Sequence, residues 1–268
     1  MTVPVTVRPA AEADLAAVQG ISVATGQSGP ASGADLRYLA HVLANGRMRV
    51  AIGTDGDLAG WGAVVATPAG ELLSDLFVHP DRHGAGVGGA VLRVLWPDPD
   101  AGGRFTFSSR HENAVPLYAR AGVLPSWPLL YLTGPRARVA ATDLHVQPVD
   151  AAAATAAETA LTGADRTAEY DFWATIGTPV VVERNGQPVG AGVLGPDEVV
   201  HLATDDEQAC EAALAALRSE AVSLCLPGPH PALARLLRAG FRITDYDLTM
   251  VAPDVRLATT WAYSPGLA

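Results

Sequence analysis

One series of landmarks runs through this chain twice, in the same order. Val7-Arg8-Pro9 leads into the acidic, alanine-rich Glu12-Ala13-Asp14-Leu15 and reads as a strand entering a capped helix. Val146-Gln147-Pro148, followed by Asp150 and an alanine run, repeats it. A hairpin comes next in each half. In the first, Val50-Ala51-Ile52 and residues 58–65 flank Asp55-Gly56; in the second, Val180-Val181-Val182 and residues 189–194 flank Asn185-Gly186. Asp-Gly and Asn-Gly between apolar runs favour two-residue turns with positive φ. A third strand follows at 72–78 and at 199–203, then a helix at 86–95 and at 207–219, then a short strand at 105–108 and at 222–226. Leu117-Tyr118-Ala119-Arg120-Ala121-Gly122-Val123 corresponds to Leu236-Leu237-Arg238-Ala239-Gly240-Phe241, with glycine where each helix stops. Leu132-Thr133 and Leu248-Thr249 close the two series. These paired landmarks, all in one order, imply an internal duplication. The domains are therefore expected at 1–134 and 143–253, joined where Pro135 and two arginines break the pattern. The tail, 254–268, has no counterpart in the first half; its Trp261 and Tyr263 either pin it to a surface or leave it frayed.

A chain of 268 residues is comfortable for two cores, and 49% hydrophobic against 17% charged residues describes a globular protein rather than a disordered one. The formal net charge of −10 offers no basic stripe for nucleic acid or an anionic membrane. It suits a cationic amine, although acidity is common among soluble proteins. No apolar run approaches the ~18 residues of a membrane span. Met1-Thr2-Val3-Pro4-Val5 lacks the basic start and apolar core of a signal peptide. Cys210 and Cys225 form neither metal spacing nor a disulfide framework, so a reducing cytoplasm is the expected compartment. All 18 basic residues are arginine, which excludes self-acetylation on a lysine side chain.

The most informative stretch is residues 76–92, Leu-Phe-Val-His-Pro-Asp-Arg-His-Gly-Ala-Gly-Val-Gly-Gly-Ala-Val-Leu. It reads as a strand, a Pro-terminated turn, a glycine-rich loop and a helix start. Glycines let the backbone approach a ligand, and the helix N-terminus adds partial positive charge; the combination binds phosphates. It is not a P-loop, because no Gly-Lys-Ser/Thr occurs. Gly84-x-Gly86-x-x-Gly89 fits the dinucleotide fingerprint by letter, but it follows a hairpin rather than opening a βαβ unit.

The segment resembles motif A of the GNAT superfamily of N-acetyltransferases, Gln/Arg-x-x-Gly-x-Gly/Ala after a Val-x-Pro turn. Here it stands as His83-x-x-Gly86-x-Gly88 after Val78-His79-Pro80, with His83 departing from the preferred Gln or Arg. Residues 112–123 are similar to the family's motif B, with Asn113 standing nearer Tyr118 than usual. The resemblance covers nearly all of residues 3–133. It implies an α/β (α+β) fold of two tandem GNAT-like domains, each a mixed, mostly antiparallel sheet flanked by helices. It also implies acetyl-CoA as acyl donor, with no metal. The donor would be held by Phe77, Val78, Arg82, His83, Gly84, Ala85, Gly86, Val87, Gly88, Gly89, Asn113 and Tyr118. In the second half the loop reads Thr204-Asp205-Asp206-Glu207, without glycine, and a leucine stands at the place of Tyr118. Three carboxylates at a helix start would repel a pyrophosphate. The second domain is expected to be a degenerate scaffold.

The implied reaction is direct attack of an amine on the acetyl thioester in a ternary complex. The family's carbonyl-polarising amide maps onto Phe77 or Val78, and its acid onto Tyr118. For the base, Asp75 and then Glu71 are candidates, placed on one face by their spacing, alongside direct attack without a dedicated base. His79 and His83 sit in the turn, where structural or phosphate-side roles are expected; His111-Glu112 resembles an acid–base pair by letter only. The acceptor is expected to be a primary amine of a small molecule or peptide, and the protein a monomer or homodimer. Residues 26–33 form a turn-rich loop, a flap or a plain connector. A non-catalytic acyl-CoA-binding or regulatory protein is the alternative.

Overall fold

The computed structural model of the chain describes residues 4–98 and 100–268; the start read above for targeting character, Met1–Val3, lies outside them. The chain divides into two compact units. The first comprises the chain up to Pro125 together with Met250–Arg256, the second Ser126–Thr249 with Leu257–Gly266.

In the first unit the elements are β1 (Thr6–Pro9), α1 (Leu15–Ala24), α2 (Leu36–Asn45), β2 (Arg47–Ile52), β3 (Leu58–Thr67), β4 (Gly70–Val78), α3 (Val87–Leu95), β5 (Arg104–Ser108) and α4 (Ala114–Ala119). Strands β1 to β5 lie side by side in sequence order, antiparallel except for the parallel pair β4·β5. Helix α3 lies close on β3 because that strand carries glycine there. A Cβ on Gly60 would stand 3.0 Å from Val87 Cγ1, and one on Gly62 3.0 Å from Val91 Cγ1. The opposite face of β3 presents Trp61, fully buried, whose indole N–H donates to Ser22 Oγ of α1.

The second unit repeats the plan with β7 (His145–Pro148), α5 (Ala151–Thr162), α6 (Thr167–Trp173), β8 (Thr178–Arg184), β9 (Gln187–Leu194), β10 (Glu198–Thr204), α7 (Ala209–Ala216), β11 (Ala221–Pro227), α8 (Leu233–Arg238) and β12 (Arg242–Val251). The β8–β9 turn has positive φ at both Asn185 (52°) and Gly186 (75°), as its dipeptide predicts. The strand order is β7-β8-β9-β10-β11, and β6 (Leu124–Pro135) completes it beside β11 over seven antiparallel pairs, from Leu129↔Pro227 to Pro135↔Ala221. The repeat boundary read at 134–143 and the spatial division are therefore different things. Residues 126–134 close the first series in sequence but pack in the second unit. Conversely, Met250–Arg256 packs in the first, where Ala252 N–H donates to Arg104 O and Asp254 accepts from Gly103 N–H. The tail beyond is not frayed: Ala262 and Leu202 exchange backbone hydrogen bonds of 2.9 and 3.0 Å.

Both units carry a β-bulge at the same place. In β4·β3 the pairing steps from Leu73↔Val64 to Asp75↔Ala63, leaving Ser74 extra. In β10·β9 it steps from Val199↔Leu194 to His201↔Val193, leaving Val200 extra. Aligned on the bulge, Leu76 corresponds to Leu202, Val78 to Thr204, Gly62 to Gly192 and Asp75 to His201. In each unit the parallel neighbour pairs only before the bulge, at Glu71–Leu73 with β5 and at Glu198–Val199 with β11. Beyond it the two strands fork.

Glycine is required where the bulged strand presses on its neighbour. A Cβ on Gly192 would strike the His201 carbonyl and stand 2.8 Å from Leu202 Cα, whereas Gly20, inside α1, faces open space. Gly192→Ala is expected to lower unfolding free energy by about 2–3 kcal/mol. Gly20→Ala is expected to raise it by about 0.5–1 kcal/mol through helix propensity. Urea denaturation of the two variants measures both.

Candidate active site

The end of β4, the loop after it and the start of α3 form one continuous feature. The Pro80–Arg82 turn is capped by the His79 ring, whose Nδ1 accepts from Asp81 N–H at 3.3 Å. Gly84 and Gly86 then adopt φ of +75° and +83°, which side chains disfavour. Gly86 is the N-cap of α3, so the N–H groups of Val87, Gly88 and Gly89 belong to the first turn and have no helical acceptor. A helix N-terminus with close backbone access is the arrangement that accepts phosphate oxygens. Gly88 sits between the strand end and α4: a Cβ there would stand 3.4 Å from Val78 Cγ2 and 3.8 Å from Leu117 Cδ2. Tyr118, next to Leu117, is almost buried, at 8% exposure. Ala85 lies between the two glycines, and Asn113 immediately precedes α4.

Two side chains of the loop are held otherwise than the sequence implied. Arg82 forms an ion pair with Asp55 in the β2–β3 turn. The His83 ring donates Nε2–H to the Val78 carbonyl at 2.9 Å and stands edge-on to His111, with ring centroids 5.7 Å apart. No sequence signal linked His83 to His111, which lie 28 residues apart (111 − 83).

The fork gives β4 an open edge. His79 N–H donates to Ala59 O, so by two-residue alternation the Phe77 amide faces β3 while those of Leu76 and Val78 face the fork. Of the two amides named from the sequence, only that of Val78 points away from β3. The ring of Phe77 instead packs against Trp61, with centroids 5.7 Å apart.

The bulge also corrects the expectation that Glu71 and Asp75 share a face. An extra residue between them reverses the alternation, so they project to opposite faces of β4. Glu71 pairs with Arg47 at 2.8 Å, and Arg47 also reaches Leu95 O at the end of α3. Asp75 lies on the α2 side, 6% exposed, and accepts from Tyr38 Oη at 2.7 Å. Burial raises the Asp75 carboxyl to about 6, although hydrogen bonds from Tyr38 and Ser74 oppose the rise. Burial and the neighbouring Asp75 charge push Tyr38 well above the usual phenol range. Tyr38 went unnoticed in the sequence because 37 residues separate it from its partner.

In the second unit His201 takes the place of Asp75. Its Nε2 lies 3.0 Å from Glu158, which also accepts from Tyr170 Oη at 2.7 Å, all three side chains being buried. Burial pushes the Glu158 carboxyl up, but His201 and the hydroxyl of Tyr170 help to hold it below the usual range. The His201 ring stacks on Trp173, centroids 4.5 Å apart. Asp206 at the following helix start is occupied by Arg184 at 2.9 Å. Among the described residues, no cluster of three His, Cys, Asp or Glu side chains is arranged to hold a metal ion, and no helix is long and apolar enough to cross a membrane.

Asp75 makes a pH-dependent contribution to stability. Its folded-state value, about 6, exceeds the ordinary 3.8, so the folded chain binds more protons between these limits and stability falls as pH rises through them. Two pH units correspond to about 3 kcal/mol. Asp75→Asn is expected to stabilise the chain above pH 7 by up to about 3 kcal/mol and to have little effect near pH 4, as read from chemical denaturation at both pH values.

No protein-family model matches the sequence, and no curated protein matches it. Solved structures do. A structure described as a candidate acetyltransferase of Pyrococcus horikoshii superposes with a TM-score of 0.75 at 14% identity, over 98% of this chain and 94% of that one. A GCN5-related N-acetyltransferase of Anabaena variabilis gives 0.65 at 13% identity, over 92% and 72%. A tandem GNAT protein from the clavulanic acid biosynthesis pathway gives 0.59 at 16% identity, over 95% and 100%. Across nearly its whole length, the chain has the fold of the GCN5-related N-acetyltransferases.

Proposed function

We propose that the protein is an acetyl-CoA-dependent N-acetyltransferase with one donor site per chain, between β4 and the start of α3. The observation that carries this reading is the continuity of the open β4 edge with the glycine loop. The donor has a matching form: an extended arm bearing amide groups, joined to a pyrophosphate. The arm would pair with the outward backbone of Leu76 and Val78, displacing the His83 ring from the Val78 carbonyl. The pyrophosphate would rest on the amides from His83 to Gly89, with the His111 ring beside them and Asn113 near the arm. Binding through backbone N–H groups explains why histidine is acceptable at position 83. Arg82, paired with Asp55, contributes charge from the rim.

At the fork an outward amide, that of Val78 or Leu76, would polarise the thioester carbonyl. Tyr118 would protonate the departing thiolate, and Asp75 would take the proton of the attacking amine, directly or through Tyr38 or water. A carboxyl raised to about 6 is ionised at neutral pH and is a stronger base than an ordinary aspartate. Glu71, on the opposite face and engaged with Arg47, has no part in this scheme. The acceptor is a primary amine of a small molecule or peptide, approaching from the α1–α2 side where Asp75 lies. The reading also places the protein in the cytoplasm. Loss of the glycine loop in the second half supports a single donor site rather than two.

Calorimetry with acetyl-CoA is expected to give one site per chain. Gly86→Glu, which puts a charged side chain at a positive-φ glycine facing the pyrophosphate, should remove binding; unchanged affinity in a folded variant refutes the loop assignment. In a thiol-release assay over an amine panel, Tyr118→Phe should slow turnover with little change in donor affinity. The rate should fall as pH drops below about 6, where Asp75 takes up a proton. Donor binding without thiol release from any amine would favour the non-catalytic alternative.

A further inference from the structure

The second unit has the same fork as the first, but its fork is filled. Beyond the bulge at Val200, β10 and β11 part as β4 and β5 do. Into the gap runs the chain's own C-terminal segment. Leu202 N–H donates to Ala262 O at 2.9 Å, and Ala262 N–H donates back to Leu202 O at 3.0 Å. On the other side, Tyr263 N–H donates to Cys225 O of β11 at 3.0 Å. Thr260 Oγ1 donates to Thr204 O at 2.6 Å, and the His230 ring donates Nε2–H to Thr260 O at 2.9 Å. By the bulge alignment Leu202 is the counterpart of Leu76, and Thr204 of Val78, the residues whose backbone faces the open fork of the first unit. Side chains add selectivity. Trp261 stands edge-on to His201, centroids 6.0 Å apart, and Tyr263 is buried, its hydroxyl donating to Ala258 O.

We propose that the fork between β10 and β11 is a binding groove for extended polypeptide, and that its resident ligand is the chain's own segment Thr260–Tyr263. An extended peptide offers the same alternating amides and carbonyls as an amide-bearing cofactor arm, and here it hydrogen-bonds to both edges of the fork. The parallel with a donor arm in the first fork rests on the function proposed above; occupancy of the second fork does not. The duplication therefore has two grooves of one design, one left for a diffusible ligand and one closed by a covalently attached peptide. This closure acts in addition to the three carboxylates, Asp205, Asp206 and Glu207, which would repel a pyrophosphate at that helix start.

Residue-resolved amide exchange of the full chain separates the two ideas. Without donor, the Leu202 amide is expected to exchange at least about tenfold more slowly than the Leu76 amide, because among the described residues only the former has a partner across its fork. Acetyl-CoA should then slow Leu76 and leave Leu202 unchanged. If it fails to slow Leu76, the donor site is refuted while protection of Leu202 still supports the resident peptide. Ala262→Pro removes the N–H that reaches Leu202 O and puts a ring carbon in its line. It should accelerate Leu202 to the rate of Leu76, and an excess of synthetic peptide spanning residues 257–268 should restore the protection. Leu202 exchanging as fast as Leu76 in the unaltered protein overturns the proposal, even where the proline variant does not fold. So does a folded Ala262→Pro chain with Leu202 still fully protected, or a peptide that restores nothing.

Discussion

Ser74 is one residue more than β3 can pair with, and much of the candidate site follows from it. An unpaired residue in an antiparallel ladder bends the strand and reverses which side chains face which way. The bend takes β4 away from β5 after Leu73, freeing the Leu76 and Val78 backbone for a ligand. The reversal directs Asp75 toward Tyr38 while Glu71 stays on the side of α3. Gly60 and Gly62 let α3 settle close on the neighbouring strand, which sets its N-terminus beside the strand end. A backbone defect, two glycines and a helix start thus produce an open strand edge that ends at a helix N-terminus. Under the proposed function, few side chains are needed to hold the donor there.

The second unit shows how the same frame is put to different use. The bulge, the fork and the close-packed glycine are kept, at Val200 and Gly192, but the loop glycines are gone and the aspartate has become His201. In place of a buried carboxyl held by Tyr38 and Ser74 stands a histidine–glutamate–tyrosine set, in which Glu158 accepts from Tyr170 and lies 3.0 Å from His201. It also gives Trp173 and Trp261 a flat ring to pack against. Such a site gains internal cohesion where the first unit retains a carboxyl with a raised proton affinity. The contrast fits a duplication in which one half is under selection for binding and the other for support.

Most local structure was legible in the sequence because its signals are local. Asn185-Gly186 sets its own turn, and Gly84 and Gly86 mark positions with positive φ. The apolar runs that follow the two turns placed β3 and β9. What the sequence did not reveal depends on partners far along the chain. The extra residue at Ser74 has no signature of its own, since a bulge is defined by the strand opposite, and without it the spacing of Glu71 and Asp75 misleads. Tyr38 is an unremarkable helical tyrosine until Asp75 is placed beneath it. The repeat pattern likewise assigned residues 126–134 to the first half, because hydrophobic periodicity identifies a strand but not which neighbour it will hydrogen-bond.

The return of Met250–Arg256 to the first unit has a consequence for biogenesis. Ribosomes deliver a chain from its N-terminus, and early domains ordinarily fold while later ones are still being made. Here Arg104 and Gly103 receive their partners from Ala252 and Asp254, about 150 residues downstream. The first unit therefore cannot finish folding until the chain has been translated past Asp254. Its β5 edge stays unpaired for that interval, exposed to association with other nascent chains. Contacts of such long sequence separation also slow folding in general. The order of translation and the order of completion thus differ: the unit translated earlier becomes native only after residues 126–249 of the second have also been made.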